Sequence, residues 1–223
     1  MIYISPSLLA ADFANLAQDI KRIESAGANY LHLDVMDGAF VPNLSFGPSL
    51  ISAIRPHSKL IFDVHLMIND PIRYIDDFVK AGADIITIHL ESCADPGKAL
   101  DMIRSREVRC AMAISPATPV EEIIPYLPKI DMALVMTVVP GFGGQAMIPE
   151  TLDKVRAIRR YADSKALKLD IEVDGGIKPE NVALTTEAGA NIIVAGSAIF
   201  NSKSPRAVIE AIRKAADEHP YKA

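Results

Sequence analysis

Four histidine and aspartate side chains have the types and spacing that could support metal or acid–base chemistry. His32 and Asp34 lie two residues apart in one short apolar segment, and His65 and Asp174 lie in two other such segments. Residues two apart in a strand point to the same side, and a buried carboxylate without a partner is costly. A divalent cation would remove that cost, and Zn²⁺, Mn²⁺, Fe²⁺ and Co²⁺ all accept this donor set. A hydrogen-bonded His–Asp network without metal would also remove it, and the spacing leaves both interpretations open.

Three glycine-rich segments are candidates for binding an anion. They are Gly141-Phe142-Gly143-Gly144, the pair Gly175 and Gly176 after Asp174, and Gly196-Ser197. Glycine lets backbone N–H groups approach an oxyanion closely, although each segment alone is compatible with ordinary turn chemistry. All three follow apolar segments late in the chain, where barrel enzymes often bind phosphate. Together they favour a phosphate site.

Other side chains have a structural interpretation beside a functional one. Met36, Met67 and Met136 could line the floor of a pocket, but methionine is more often core filler. His89 and Glu91 could form a further polar pair, and a satisfied structural histidine is the favoured interpretation.

The elements that position these residues alternate along the whole chain. Apolar segments bounded by Gly, Pro, Asp or Asn are typical of strands buried on both faces, and between them lie segments with helical periodicity. The predicted strands are Ile2–Ile4, Tyr30–Val35, Leu60–Leu66, Ile85–His89, Cys110–Ile114, Ala133–Val138, Leu169–Val173 and Ile192–Ala195. The predicted helices are Phe13–Ser25, Pro48–Ile54, Pro71–Lys80, Pro96–Ile103, Val120–Leu127, Pro149–Tyr161, Pro179–Ala188 and Ser204–Asp217.

Eight strands and eight helices predict an α/β fold, a single (β/α)₈ TIM barrel domain over residues 1–223. Eight units in 223 residues leave about 28 residues per unit, the pace of a compact barrel. A weak repeat, Ala-Gly-Ala followed by Asn or Asp, begins at Ala26, Ala81 and Ala188 and leads from a helix into a strand. A doubly wound open sheet is the alternative. In a barrel, the polar residues described above collect at the carboxyl ends of the strands, where active sites form.

Composition excludes several classes of protein. The chain has 50% hydrophobic and 23% charged residues and a net charge of -5, which argues against disorder and against a general nucleic-acid surface. Two cysteines, Cys93 and Cys110, make no disulfide framework. We expect no membrane span and no secretory signal, and therefore a cytoplasmic protein.

The motifs together resemble the ribulose-phosphate 3-epimerase family, in family order and over almost the whole chain. The matching segments are Ser5–Leu9, His32–Gly38, Asp63–Met67, Val135–Thr137, Pro140–Gln145, Glu172–Ile177 and Val194–Phe200. The resemblance implies an isomerase of the pentose phosphate pathway. It would interconvert D-ribulose 5-phosphate and D-xylulose 5-phosphate by proton transfer at C3 through a metal-stabilised enediolate.

The resemblance also implies roles for individual residues. His32, Asp34, His65 and Asp174 would hold one divalent ion, and Asp34 and Asp174 would be the two acid/base residues, with no organic cofactor. The residues implied to bind substrate are Ser7, His32, His65, Met36, Met67, Met136, Gly141, Phe142, Gly143, Gly144, Gly175, Gly176, Gly196 and Ser197. Homo-oligomers, dimers or hexamers, are typical of the family.

Two positions depart from the family pattern, and three other functions compete. Ala39 stands where histidine is frequent, and Val139 replaces a more usual polar residue; we expect them to affect only loops near the substrate. An epimerase of a six-carbon ketose phosphate, such as D-allulose 6-phosphate, would need the same residues. A phosphate-ligand binding protein would not need both aspartates, and a Schiff-base enzyme would need a lysine at an inner strand end. Lys129, Lys168 and Lys178 do not provide one.

Overall fold

The strands of the chain form one parallel eight-stranded barrel. The structure, a computed structural model, describes residues 1–222, so Ala223, the last residue of the predicted domain, lies outside the described part. The strands are β1 Tyr3–Ser5, β2 Tyr30–Met36, β3 Ile61–Met67, β4 Ile85–His89, β5 Arg109–Ile114, β6 Met132–Met136, β7 Asp170–Asp174 and β8 Ile192–Val194. Each predicted strand is confirmed within one or two residues at its ends.

Neighbouring strands along the chain are also neighbours in the sheet. The order is β1-β8-β7-β6-β5-β4-β3-β2, and every pairing is parallel. Between β1 and β2, the Asn29 N–H donates to the Ile4 carbonyl and the His32 N–H donates to the Pro6 carbonyl, both at 3.0 Å. These bonds bring the first and last strands of the sheet together. The predicted (β/α)₈ barrel is therefore confirmed, and the open doubly wound sheet is excluded.

The helices surround the barrel, with one predicted helix missing. The α-helices are α1 Leu16–Ser25, α2 Pro48–Ile54, α3 Ile75–Ala81, α4 Pro96–Arg104, α5 Leu152–Ser164, α6 Val182–Ala188, α7 Ser197–Phe200 and α8 Pro205–Glu218. The prediction of an α-helix over Val120–Leu127 is wrong. Two 3₁₀ segments, Val120–Glu122 and Ile124–Lys129, lie there instead, because Pro125 and Pro128 cannot donate the backbone bonds of an α-helix. The short helix α7 was not predicted.

Four predicted helices begin about one turn later than expected: α6 begins at Val182 rather than at Pro179, and the other three follow 3₁₀ segments. Short 3₁₀ segments occupy Phe13–Asn15, Pro71–Tyr74 and Pro149–Thr151, and the α-helices follow them. Tighter 3₁₀ turns are common at helix starts, and their side chains continue the same apolar periodicity. None of the helices in residues 1–222 is long and apolar enough to cross a membrane.

The interior of the barrel changes from apolar to polar along its axis. A buried cluster closes the end at which the strands begin; it contains Tyr30, Ile85, Ala111, Met132 and Ile192, with Tyr3 and Ile61 packed against it. Further along the barrel axis lie polar side chains: His32, Asp63 and Thr87, two residues beyond Tyr30, Ile61 and Ile85, and Glu172 of β7 are all fully buried. The side chains on the other face of each strand belong to the main core beneath the helices. Polar groups inside the barrel therefore have water on one side only, at the carboxyl ends of the strands.

At the closed end, the Ala-Gly-Ala repeat forms a structure that we call the arginine clasp. Before β2, Arg213 of α8 donates to the Gly27 carbonyl (2.5 Å) and to Asn29 Oδ1 (2.7 Å). The same Asn29 oxygen accepts the Ile4 N–H at the start of β1 (3.0 Å). One guanidinium thus ties a helix to the starts of two strands.

The arginine clasp recurs before the other even-numbered strands. Before β4 it consists of Arg55, Gly82, Asp84 and the Phe62 N–H. Before β8 it consists of Arg159, Gly189, Asn191 and the Ile171 N–H. Before β6 it is reduced: Asp131 accepts the Cys110 N–H, and Arg104 donates to the Lys129 carbonyl.

Candidate active site

A cavity of about 1110 Å³ opens at the carboxyl ends of the strands. Ser7, Asp34 and Asp174 lie on its wall, and the loops after β6, β7 and β8 surround it. The other predicted site residues on the cavity are Met36, Met67, Met136, Gly141, Phe142, Gly143, Gly144, Gly175, Gly176, Gly196 and Ser197. The sequence-based expectation that polar and glycine-rich segments meet at this end of the barrel is confirmed.

The structure brings His32, Asp34, His65 and Asp174 into one cluster. His32 Nε2 lies 3.2 Å from His65 Nδ1, 3.3 Å from Asp34 Oδ1 and 3.9 Å from Asp174 Oδ2. Atoms bound to one cation at about 2.1 Å are separated by about 3–3.5 Å. The donor atoms and their spacing therefore fit a divalent cation of the type that accepts mixed nitrogen and oxygen ligands.

His32 is oriented from behind by a buried carboxylate. Asp63 Oδ2 lies 2.9 Å from His32 Nδ1, and the Thr87 hydroxyl donates to Asp63 Oδ1 at 3.0 Å. An ionised carboxylate only accepts hydrogen bonds, so the proton between them belongs to His32 Nδ1. The other nitrogen, Nε2, is thereby directed toward the cluster, as in many metal-binding histidines.

The cluster attracts positive charge. Burial by itself lowers the pKa of His32, but the carboxylates of Asp34, Glu172 and Asp63 together raise this pKa well above its usual value. A proton and a cation therefore compete for the same negative region. This is a second observation in favour of a metal, beside the spacing of the ligand atoms.

The pKa values of the two aspartates in the cluster are shifted in opposite directions. At Asp34, burial is outweighed by the charge of His32 and by the contacts with the His32 and His65 rings, which hold the carboxyl pKa far below its usual range. At Asp174, burial and then the negative charge of Asp34 raise the pKa to about 7. A proton shared by the pair at neutral pH therefore resides on Asp174, while Asp34 stays ionised.

Ser7 contacts the cluster directly. Its hydroxyl donates to Asp34 Oδ2 at 2.6 Å, and this bond is buried. A hydrogen bond to the ionised form further favours the charged carboxylate. Ser7 therefore fixes the orientation of Asp34 as well as lying on the cavity wall.

Glu172 lies deeper in the barrel and has no hydrogen-bond partner for either carboxylate oxygen among residues 1–222. Its Oε1 is 3.5 Å from His32 Nδ1. Burial and the negative charge of Asp63 raise the pKa of Glu172 well above its usual value. The sequence placed Glu172 at a strand end but indicated no role for it.

The loops above the cluster are held by side-chain hydrogen bonds. Asn43 donates to the Gly141 carbonyl at 2.8 Å, and Gln145 donates to the carbonyls of Val139 (2.7 Å) and Phe142 (2.8 Å). Val139 and Phe142 nevertheless expose more than half of their side-chain surface. The loop after β6 is thus internally braced, with apolar side chains toward water.

The three methionines combine both interpretations that the sequence left open. Met36 and Met67 pack together in one buried cluster, and Met136 belongs to another. All three are at least 95% buried, yet each borders the cavity. They are core residues whose exposed edges form the apolar part of its wall.

His32 and His65, which are predicted to bind substrate, are not among the residues that border the cavity, and their contact with substrate stays a prediction. Both imidazoles are fully buried and lie behind the cavity wall formed by Asp34 and Asp174. Sequence reasoning also missed polar side chains that border the cavity, namely Asn43, Lys178, Asn181 and Asn201. These lie in loops, where residue type alone carries no periodic signal.

His89 is more than an isolated structural histidine. Its Nε2 lies 2.8 Å from His65 Nε2, and its Nδ1 lies 3.1 Å from Glu91 Oε2. Burial lowers the pKa of His89 to about 4. At Glu91, burial is outweighed by the hydrogen bond and charge of His89 and by bonds from Thr118 and Ser115, and the pKa falls to about 2.

Comparison with known proteins also relates the chain to a family of enzymes. Residues 3–200 match the profile of the ribulose-phosphate 3 epimerase family. The chain is 47% identical over 221 residues to ribulose-phosphate 3-epimerase of Synechocystis sp., covering 98% of this chain and 96% of that protein. It is 45% identical over 218 residues to the cytoplasmic isoform of Oryza sativa, covering 96% and 94%.

A solved structure of lower identity supports the fold alone. The 3-keto-L-gulonate-6-phosphate decarboxylase of Vibrio cholerae superposes with a TM-score of 0.73 at 18% identity, covering 98% of both chains.

Proposed function

The chain belongs to the ribulose-phosphate 3-epimerase family of enzymes, and from that premise we propose that it interconverts D-ribulose 5-phosphate and D-xylulose 5-phosphate. The observation that carries the proposal is the pair Asp34 and Asp174. Both carboxylates lie on the wall of one cavity, and they differ in proton affinity. Inversion at a carbon next to a ketone needs one group to remove a proton and another to return it to the opposite face.

His32, Asp34, His65 and Asp174 would hold one divalent cation, and the mixed donor set is compatible with zinc, iron, manganese or cobalt. When bound, the cation would act as a Lewis acid toward the ketone oxygen and so increase the acidity of the neighbouring C–H. The protein supplies the rest. The Ser7 hydroxyl donates to Asp34 and favours its ionised form, which is the form that would accept the C3 proton. Asp174 lies on the same cavity wall and would return a proton to the other face of C3.

The reverse reaction uses the same two residues with exchanged roles. Removal of the C3 proton by Asp174 would require its ionised form, which a bound cation would favour. Met36, Met67 and Met136 border the reacting region with apolar surface, which keeps water from competing for the proton. No redox step occurs, since the substrate and the product are isomers.

The phosphate of the substrate would lie at the other side of the cavity. Gly141 to Gly144, Gly175, Gly176, Gly196 and Ser197 border it there, and their backbone N–H groups are the expected donors. Lys178 also borders the cavity and would contribute positive charge. Phe142 would cover this region from the loop after β6.

Gly196→Val is expected to raise the KM for D-ribulose 5-phosphate by at least about tenfold, because losing one hydrogen bond to a charged group costs 1.5–3 kcal/mol. A Cβ at Gly196 lies 3.3 Å from Ala10 Cβ and 3.5 Å from Ser7 Cβ, so the branches of valine would displace the loop around the phosphate. Steady-state kinetics would measure KM, and kcat should change less. If wild-type enzyme converts unphosphorylated D-ribulose equally well, the phosphate site is wrong.

Removal of the metal is the first test of the whole proposal. Chelator-treated protein is expected to lose epimerisation of D-ribulose 5-phosphate and to regain it when single divalent ions are added back. Conversion to D-xylulose 5-phosphate would be followed by a coupled assay, with circular dichroism to confirm that the stripped barrel stays folded.

Two other outcomes of that assay would change the proposal. Full activity after complete removal of metal would contradict the role of the cation. Turnover of D-allulose 6-phosphate, with none of the pentose, would show that the substrate is a six-carbon ketose phosphate.

The setting of the reaction is also a proposal. We place it in the cytoplasm, since one relative is named a cytoplasmic isoform and Cys93 and Cys110 are free thiols. Assembly into a dimer or hexamer stays a prediction from the resemblance.

A further inference from the structure

A chain of three side chains leads from the metal cluster to the rim of the barrel, and the proposed reaction does not use two of them. It runs from His65 through His89 to Glu91. The His65 and His89 rings have centroids 4.9 Å apart and planes 23° apart, and their Nε2 atoms are 2.8 Å apart. The rings therefore meet edge to edge, in the geometry of a hydrogen bond between the two nitrogens. The Phe40 ring packs against the His89 ring, with centroids 4.9 Å apart, and this packing keeps water away from the contact between the histidines.

Glu91, which lies farthest from the metal cluster, determines which atom donates in each hydrogen bond between these three side chains. Glu91 Oε1 accepts the Ser115 N–H at 2.7 Å and the hydroxyl of Thr118. Its other oxygen, Oε2, faces His89 Nδ1. An ionised carboxylate only accepts hydrogen bonds, so the proton in this contact is on His89 Nδ1.

The proton on His89 Nδ1 then determines the tautomers of both His89 and His65. Neutral imidazole has one N–H and one lone pair, so His89 Nε2 carries the lone pair and accepts from His65. The proton between the rings is on His65 Nε2. His65 Nδ1 therefore keeps its lone pair, and this atom lies 3.2 Å from both His32 Nε2 and Asp34 Oδ1.

The loop that holds Glu91 is itself anchored. Lys154 of α5 donates to the carbonyls of Ser115 (2.9 Å), Pro116 (2.7 Å) and Thr118 (2.5 Å). These three bonds fix the segment that supplies the two donors to Glu91 Oε1. Glu91 is thus held in one orientation from outside the barrel.

We propose that His89 and Glu91 are positioning residues that act through His65: they place its proton on Nε2 and present Nδ1 to the metal. The inference rests on the proposed metal-dependent function. Asp63 does the same for His32 with a single bond. The two ligand histidines are therefore oriented in different ways, one by a direct carboxylate and the other by a carboxylate acting through a second imidazole.

Glu91→Gln is the sharpest test, because it keeps the shape and changes one acceptor into a donor. The amide oxygen is retained by the Ser115 and Thr118 donors, so the NH₂ group faces His89 Nδ1. His89 then has its proton on Nε2, and His65 is driven to the tautomer with its proton on Nδ1. We expect Zn²⁺ affinity to fall by about 10- to 100-fold, the usual effect of losing such an outer partner.

The affinity would be measured on purified protein without substrate, by competition with a chromophoric chelator. Glu187→Gln is the matched control, since Glu187 and His219 form a similar His–Glu pair (2.7 Å) on the exposed surface. It is expected to bind Zn²⁺ as the wild type does. Thermal unfolding of the metal-free proteins would show that both variants remain folded.

A pair of substitutions at His89 separates positioning from packing. His89→Gln keeps an oxygen that can accept from His65 Nε2, whereas His89→Leu fills similar volume without an acceptor. We expect the Gln variant to bind Zn²⁺ more tightly than the Leu variant. A purely structural role predicts equal affinities, or tighter binding by the apolar variant.

Nitrogen NMR of the Zn²⁺-loaded wild type gives an independent reading. The inference requires protonated His65 Nε2 and protonated His89 Nδ1, and the opposite assignment overturns it. It is also overturned if Glu91→Gln binds Zn²⁺ as tightly as the wild type, and in that case the proposed function stands. If the wild type binds no divalent cation at all, the proposed function fails and this inference fails with it.

Discussion

Replacing either Asp34 or Asp174 with asparagine is expected to lower turnover of D-ribulose 5-phosphate by about 10³-fold or more, near the upper range for loss of a general acid or base. Asparagine keeps the shape and an oxygen ligand, but its amide cannot take up or release the C3 proton. The barrel should remain folded, because neither carboxylate contributes to the main core. Initial rates and circular dichroism on the purified variants would measure both effects.

Exchange with solvent deuterium would show whether the variants have lost a base or the metal. If each aspartate serves one face of C3, each variant retains one base. Asp34→Asn should then still exchange the C3 proton of one epimer, and Asp174→Asn that of the other, without forming product. Loss of the metal would stop exchange of both epimers.

The control is Asp101→Asn, a change to an exposed aspartate on α4, which should leave turnover unchanged. Near-normal turnover in either active-site variant would contradict the assignment of two bases.

Gly176→Ala is the second change with a large expected effect. Gly176 has a φ of +67°, and a Cβ there would lie 2.4 Å from the Met147 nitrogen and 2.7 Å from the Gln145 carbonyl oxygen. Both contacts are to backbone, so no side-chain rotation relieves them. The left-handed conformation alone costs about 1–2 kcal/mol for a residue with a Cβ, and the loop after β6 must also move.

We therefore expect a lower melting temperature and a KM for the sugar phosphate raised by at least about tenfold, since the displaced loop borders the phosphate side of the cavity. Gly47→Ala is the matched control. Gly47 has a φ of −136°, and a Cβ there would have no neighbour within 4 Å among the described residues. If Gly176→Ala matches this control in stability and in KM, the tight packing of the loop after β7 against the loop after β6 has no functional role.

The fold was largely predictable from hydrophobic patterning. Strand β4 occupies Ile85–His89 as predicted, because a short, β-branched apolar segment is typical of a strand buried on both faces. The failure at Val120–Leu127 has a local cause: apolar periodicity suggests a helix, but Pro125 within the segment and Pro128 directly after it cannot donate backbone hydrogen bonds. The four-residue helix α7 is too short to produce a periodic signal.

The candidate site was predictable only in its first layer. His32 and Asp34 share a face of β2 because they are two residues apart. The parallel register pairs Asp34 with His65, so the side chain of His65 on β3 lies beside them. Contacts such as His65 with His89 depend on how the imidazole rings turn within the barrel. Strand periodicity contains no information about ring rotation, so the sequence could suggest only a structural role for His89.

The arginine clasp has a consequence for how the two ends of the barrel can change. It occurs before every even-numbered strand, and Arg213 of α8 closes the series onto the loop before β2. The closed end of the barrel therefore has approximate fourfold rotational symmetry, built from pairs of βα units. The open end has none, since the side chains and loops that border the cavity differ from one pair of βα units to the next. The stabilising contacts of the arginine clasp thus recur at the closed end, and the residues that border the cavity lie at the open end. The loops of the open end can therefore change in sequence without weakening the contacts at the closed end.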